Sequence, residues 1–420
     1  MDNFSKIIGY EKEKEELRRT ADMLKNSEKY LKRGVTIPNA LLLYGVPGTG
    51  KTVMARAMIA ESGLPSFDCK KDSPNGEFVN NIRKTFTEAV ESAPSIVFLD
   101  DMDKFAEDNL DINCNKEEFA VIQACLEDVK EKGVFVLATA NDIDYLPRSL
   151  VRSGRFGRKV EINTPNLKDS ELIIKKYLNG VACEKDVDPK ALSLILCGKS
   201  CATIECIINE ARILAEYDNN DMITKKHMVH SIMRVTENLV ESPMTNRELI
   251  KRVAYHEVGH AIVDYFNGSE ISLVSILGYG NAKGICGVYD TPKYSFDLVK
   301  KRACALLGGK AAVKIIFGEE DMGVESDLED AMQEIREAIE KKCGDGFEYG
   351  YCLRGWNKKQ AYGRLDRVTN RAYDIARECY EKALNTLKSN IGLLHKIANH
   401  LMECGFILGN EFEAFAKEMV

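Results

Sequence analysis

The sequence predicts an α/β domain, a parallel sheet with helices on both faces, then a small helical domain and a third, mainly α-helical domain. Three observations carry this. The runs "ALLLY" (40–44), "SIVFLDD" (95–101, closing on two acids) and "VFVLATA" (134–140) are short and mostly apolar, as strands covered on both faces are. Helical spacing fills 77–92 and 116–132 between them, and strands alternating with helices imply parallel order. The first run also passes directly into a glycine-rich loop and another helix.

In chain order, residues 11–33 are charged and helical in pattern, closed by Gly34 and Pro38. "RKVEI" (158–162) reads as a further strand. From Lys168 to about Leu239 the apolar spacing is helical, with Asn/Asp-rich breaks near 186–189 and 218–221. "NLVESPMTNRE" (238–248) reads as a hinge. Residues 247–420 are again largely helical, interrupted by the glycine-rich "SLVSILGYGNAKGICGVYDTPK", where short strands are expected. The expected domains are therefore 1–167, 168–240 and 241–420.

Composition narrows the function. The 420 residues are 45% hydrophobic and 29% charged, ordinary for a globular protein. A net charge of -7 and only short basic clusters such as Lys300–Arg302 argue against a nucleic-acid partner. The 13 cysteines form no CxxC pair, and Cys197, Cys201 and Cys206 lack neighbouring histidines at zinc-finger spacing, so reduced thiols of a cytoplasmic protein are expected. No apolar run approaches the roughly 18–20 residues that span a bilayer, and the charged start does not read as a signal peptide.

"GVPGTGKT" (45–52) fits GxxxxGK[ST] with a strand before it and a helix after. Gly45, Val46, Pro47, Gly48, Thr49 and Gly50 would turn backbone N–H groups around the phosphates of ATP. Lys51 would reach the outer phosphates, Thr52 would hold Mg²⁺, and Val53 continues the binding stretch into a helix whose N-terminus favours anions. Asp100, ending "SIVFLD", is expected in the Mg²⁺ shell, with Asp101 where a base or water-orienting group stands. Asn141, after the third strand, is a candidate to orient the attacking water or sense the γ-phosphate. Arg152, Arg155 and Arg158 recur three apart and can stabilise charge on a transferring phosphoryl group, in cis or from a neighbouring subunit.

A second motif, "AYHEVGHAIVDYF" (254–266), carries His256 and His260 four apart. On a helix they share one face and can hold one Zn²⁺, with Glu257 as general base. Zinc needs a third protein ligand. No further histidine lies nearby, so an acid is expected, and "VESDLEDAM" offers Glu325, Asp327, Glu329 and Asp330.

These stretches also carry a family resemblance. "FSKIIGYEKEKEELR", "GVPGTGKT", "FLDDMD", "ATAN" and "SLVRSGRFGRKV" follow in the order and spacing of AAA+ ATPases, and "HEVGH" with "LGGKAAVKIIFGEEDMGVESDLEDA" resembles the FtsH family of AAA+ zinc proteases. The resemblance runs from about Phe4 to near the C-terminus. It implies an AAA+ α/β subdomain (1–167), a helical lid (168–240) and a zinc metallopeptidase domain (241–420). It further implies a homohexamer that binds ATP between subunits and degrades polypeptides. By the same carry-over Arg155 and Arg158 are trans-acting fingers, Ile8 and Gly9 contact adenine, Asn141 is the polar sensor, and Asp327 is the third zinc ligand.

Four departures from the family pattern matter. Asp101 stands where the family has glutamate, one methylene longer, which sets the carboxylate back by roughly 1.5 Å; slow but real hydrolysis is expected. Pro74 and Asn75 fall where the substrate-gripping aromatic pair should stand, and Phe78 could substitute only in a rebuilt loop. Cys201 and Thr203 in "GKSCATI" replace a glycine and an acid near the adenine. Finally, the family is normally anchored by N-terminal membrane helices, whereas this chain begins at the ATPase domain. A cytoplasmic protein is expected, touching a membrane only through an anchor or partner absent from this chain. The expected function is an ATP-dependent zinc endopeptidase. The alternative is a zinc peptidase with a weakened motor that binds ATP mainly to assemble its ring.

Overall fold

A computed structural model describes residues 3–71, 75–105, 117–152, 154–237, 244–278, 284–289, 295–319, 325–340 and 358–418. The chain forms two compact units, one from Met1–Ala182 and Leu196–Ile213, the other from Cys183–Ile195 and Leu214–Val420. The stretch expected to be helical, 168–239, holds the helices Leu167–Leu178, Pro189–Leu196, Cys201–Tyr217 and Lys225–Glu237 among the described residues. Leu167–Leu178 and most of Cys201–Tyr217 belong to the first unit, Lys225–Glu237 and most of Pro189–Leu196 to the second.

The first unit is built on five parallel strands: β1 (Ala40–Tyr44), β2 (Ser66–Cys69), β3 (Ser95–Leu99), β4 (Val134–Ala140) and β5 (Arg158–Glu161), in the order β2-β3-β4-β1-β5. Every residue of β3 and β4 is buried, and all of β1 except Tyr44, because helices cover both faces. Phe78, Ile82 and Phe86 from the helix Asn75–Glu91 and Phe119, Ile122 and Leu126 from Glu117–Asp128 pack one face. Burying each such side chain stabilises the unit by roughly 1.5–3 kcal/mol. The register aligns Tyr44 with Ala140 and Leu99 with Ala138. The residues after β1, β3 and β4 therefore leave the sheet at one carboxyl edge, the edge where open α/β sheets bind ligands.

Two expectations change here. The short strand β2 was not legible: its mostly exposed "SFDC" lacks the continuous apolar run of the others. Phe78 is fully buried and meets Phe105 edge-on at 4.9 Å, so it is a core residue and no substitute for a gripping aromatic. Pro74 lies outside the described residues, and Asn75 opens the helix that carries Phe78.

In the second unit, the helix Arg247–Phe266 runs through the core. Asn246 caps it by accepting from the N–H groups of Glu248 and Leu249. From Ala254 to Asp264 almost every side chain is buried, the pattern of an interior helix. Around it pack Phe296–Leu306, Gly308–Phe317, Glu325–Glu340, Lys358–Ser389 and Ile391–Cys404, sharing a core that includes Val258, Ile262, Ile335, Ile375, Leu394 and Ile397. An antiparallel sheet of β6 (Glu270–Ser275), β7 (Ile285–Tyr289) and β8 (Phe406–Leu408), in the order β7-β6-β8, borders this bundle.

Candidate active sites

At the carboxyl edge of the five-stranded sheet, the loop after β1 holds Gly45 and Gly48 at φ 137° and 77°, which favour glycine. A Cβ on Gly45 would stand 2.3 Å from the Ile162 carbonyl oxygen, so the loop also needs glycine for space. Lys51 is buried and donates to the Gly45 and Val46 carbonyls at 2.7 and 3.0 Å. Burial lowers its pKa, against the opposing pull of Asp101, Asp103 and Asp100. Thr49 donates to the Val46 carbonyl at 2.9 Å, which tightens the loop. Thr52 donates to Asp100 Oδ1 at 2.9 Å, bringing together the hydroxyl and carboxylate expected around Mg²⁺.

Beside them, Thr139 donates to the same Asp100 oxygen at 2.8 Å and accepts from the Asp101 backbone N–H at 2.8 Å. Asn141 is gripped twice by Asp103: its backbone N–H donates to Oδ1 at 3.0 Å and its amide to Oδ2 at 3.2 Å. Asp101 adopts φ 54° and pairs with Lys104 at 2.8 Å. Thr139, Asp103 and Lys104 are residues that motif reading passed over, although "ATAN" and "DDMDK" contain them.

Ile8 lines a cavity of about 110 Å³ with Thr49, Gly50, Val53, Tyr177 and Cys201. Gly9, at φ 71°, lies so close to Asp169 that a Cβ would stand 2.6 Å from its carboxylate. Tyr10 closes the same region by donating to the Asn163 carbonyl at 3.0 Å, and its hydroxyl lies 3.5 Å from the Cys201 thiol. Burial first, then the Cys201 thiol, pushes the Tyr10 phenol well above its usual range. The Ala202 N–H donates to the Gly48 carbonyl at 3.0 Å, so the "GKSCATI" turn docks on the phosphate loop itself. Arg155 and Arg158 are tied elsewhere in this unit. Arg155 bonds Glu127 at 3.0 Å and the Ser149 carbonyl at 2.7 Å, and Arg158 bonds Glu16 at 3.0 Å.

In the second unit the three proposed metal ligands converge across a 71-residue separation. Asp327 Oδ2 lies 3.0 Å from His256 Nε2 and 3.4 Å from His260 Nε2, and the two imidazole nitrogens are 3.0 Å apart. Tetrahedral zinc with bonds of about 2.0–2.1 Å separates its ligand atoms by roughly 3.3–3.4 Å, so the donor set and spacing fit. Among the described side chains of the acids left open by the residues alone, Asp327 is the one that meets both histidines. Burial opposes charge on Asp327, yet its hydrogen bonds to His256 and His260 win and hold its carboxyl well below the usual range. Burial likewise disfavours the His260 cation, but Asp327 and Glu257 prevail and raise it to about 9.

Surrounding groups fix this geometry. The Ala305 carbonyl, 2.8 Å from His260 Nδ1, can only accept, so Nδ1 carries the proton and Nε2 faces the ligand side. A Cβ on Gly309 would come within 2.5 Å of His260 Nε2 and 2.6 Å of His256 Cε1, so only glycine leaves the imidazoles room. Glu257, next to His256, is buried, and burial raises its pKa while the two imidazoles oppose the shift. Ala305 and Gly309 were also missed. The "LGG" within the family-like stretch was the signal for the second.

A phosphate loop with its acidic partners in one unit, and two histidines with an aspartate and a buried glutamate in the other, define an ATPase joined to a metallopeptidase. Comparison with known families agrees. The ATPase family associated with various cellular activities (AAA) matches residues 41–164, and peptidase family M41 matches residues 243–415. An ATP-dependent zinc metalloprotease FtsH of Caldicellulosiruptor bescii is 31% identical, across 99% of this chain and 72% of that protein. One from Lancefieldella parvula is 30% identical, across 99% and 68%. A chloroplastic relative from Oryza sativa subsp. japonica is 30% identical, across 97% of this chain and 64% of its own length. The chain belongs to the FtsH family of ATP-dependent zinc metalloproteases. Among the described residues, no helix is long and apolar enough to cross a membrane.

Proposed function

We propose that this chain is an ATP-dependent zinc endopeptidase that degrades polypeptides in the cytoplasm as a homohexamer, using ATP hydrolysis to deliver substrate to the zinc site. The observation that carries the reading is the convergence of His256, His260 and Asp327 beside buried Glu257, on a chain that also holds a complete phosphate loop.

His256, His260 and Asp327 hold the metal, which supplies a Lewis acid and an acidified water when bound. Glu257 takes a proton from the attacking water onto its carboxylate and returns it to the leaving amine nitrogen. Burial, by raising its proton affinity, suits Glu257 to both halves of that transfer. In the ATPase unit, Gly45–Thr52 cradles the triphosphate, with Val53 beyond it. Thr52 and Asp100 would hold Mg²⁺, Asp101 and Asn141 would orient water, and Ile8 and Gly9 would contact the adenine. Segment 168–240 acts as a lid, a reading supported by the contact of Ala202 with the phosphate loop. Arg155 and Arg158 act on the nucleotide of a neighbouring subunit.

The test is degradation of an unfolded protein such as casein, with and without ATP and with a zinc chelator. Wild type should require both ATP and zinc. Glu257→Gln should lose proteolysis while keeping its ATPase rate. Proteolysis that survives this substitution, or that ignores the chelator, would refute the reading.

A further inference from the structure

The short 3₁₀ turn Met102–Phe105 follows β3 directly and touches both water-side groups of the ATPase site. Met102 and Phe105 are fully buried and fix it to the core. Its two polar residues face the chemistry: Asp103 grips Asn141 through two hydrogen bonds, and Lys104 pairs with Asp101 at 2.8 Å. That pair is local, since Asp101 immediately precedes the turn and lies three residues before Lys104. The Lys104 N–H donates to the Asp101 carbonyl at 2.9 Å, which sets the ammonium over the carboxylate. The Asp101 main chain is already fixed by Thr139, so its side chain is the remaining freedom, and Lys104 removes it.

Resting on the ATPase reading above, we infer that Lys104 is a positioning residue for ATP hydrolysis: it fixes the Asp101 carboxylate in one orientation and so offsets the shortness of an aspartate at this position. Two further facts agree. Asp101's hydrogen bond holds the Lys104 ammonium above its usual range. Lys104 also lowers the pKa of Lys51, so its charge lies within electrostatic reach of the phosphate-binding lysine. Lys104 itself is exposed, and a surface ion pair contributes little to stability, so its loss should leave the fold intact.

The experiment is a double-mutant cycle on the full chain, following ATPase kcat and KM together with binding of a fluorescent ATP analogue. Lys104→Met should lower kcat about tenfold, the penalty of a loosely held group, with KM and analogue affinity within about twofold of wild type. Lys104→Arg should restore most of the rate. In an Asp101→Glu background, where the longer side chain reaches further unaided, Lys104→Met should change kcat by less than about twofold, the non-additivity expected of coupled groups. Equal effects in both backgrounds, a faster rate in Lys104→Met, or a loss confined to nucleotide affinity would each overturn the inference. ATP hydrolysis abolished by Lys51→Ala but unmoved by Lys104→Met overturns this inference alone. Hydrolysis equally absent from wild type and Lys51→Ala overturns the ATPase reading with it.

Discussion

Gly309 lies so close to both imidazoles of the HExxH helix that even a methyl group would collide with them, at 2.5 Å from His260 Nε2. The methyl cannot be absorbed by a flexible neighbour, because His260 is also held from behind by the Ala305 carbonyl. Gly309→Ala should therefore displace one imidazole and lower zinc affinity by about ten- to a hundredfold, the usual cost of disturbing a ligand's supports. Metal analysis of the purified variant reads the loss directly, and its ATPase rate should stay at the wild-type level. A variant that keeps full zinc at low free metal would refute this. At this scale the chain was unevenly legible. His256, Glu257 and His260 show themselves because helical geometry converts a four-residue spacing into one face. Asp327 is one of four acids in its stretch, and nothing local distinguishes it. Only the folding of Glu325–Glu340 against the HExxH helix brings it to both histidines. Ala305 acts through its backbone carbonyl, which leaves no side-chain signature, and Gly309 acts through space, signalled only by the glycine pair of "LGG".

At the scale of elements, the peptidase unit depends on how closely two helices cross. A Cβ on Gly259 would stand 2.6 Å from the Gly308 carbonyl oxygen and 2.6 Å from Ala312 Cβ; one on Gly308 would stand 2.6 Å from the Gly259 carbonyl oxygen. The helices Arg247–Phe266 and Gly308–Phe317 thus meet backbone to backbone, and that contact presents His260 to Ala305 and Gly309. Gly259→Leu forces them apart and should cost about 1–3 kcal/mol as an overpacked core does. A lower denaturation midpoint together with lost peptidase activity is the expected result; an unchanged midpoint would show the crossing to be looser than this geometry requires. The elements themselves were legible where burial imposes a pattern. β1, β3 and β4 announce themselves because strands covered on both faces must be apolar throughout. β2 is largely exposed, and β8 spans only Phe406–Leu408, too short for any periodicity to appear. Phe78 shows the opposite failure, since an aromatic near a loop reads as available when in fact it belongs to the core.

For the molecule as a whole, the decisive question is whether its ATPase site is complete within one chain. Lys51, Thr52, Asp100, Asp101 and Asn141 gather at one sheet edge. Of the three arginines offered for charge stabilisation, Arg155 and Arg158 are tied to other partners. Arg155 is almost fully buried against Glu127 and the Ser149 carbonyl, and Arg158 is bonded to Glu16. Under the proposed reading the arginine comes from a neighbour, and a head-to-tail ring would supply one to every subunit. The proposed homohexamer thus makes a demand that a self-sufficient monomer does not. Under that reading Lys51→Ala subunits should fail to hold the triphosphate but still carry Arg155. Arg155→Ala subunits should hold nucleotide but fail to serve their neighbour. Each variant alone should be nearly inactive as an ATPase. Mixed in equal amounts and allowed to exchange, about a quarter of the sites should pair an intact Lys51 with an intact neighbouring Arg155, and that fraction of the wild-type rate should return. Light scattering on the same samples should give the mass of six chains throughout. Hexamers that remain inactive after mixing would place the arginine in cis, and active monomers would remove the ring from the mechanism.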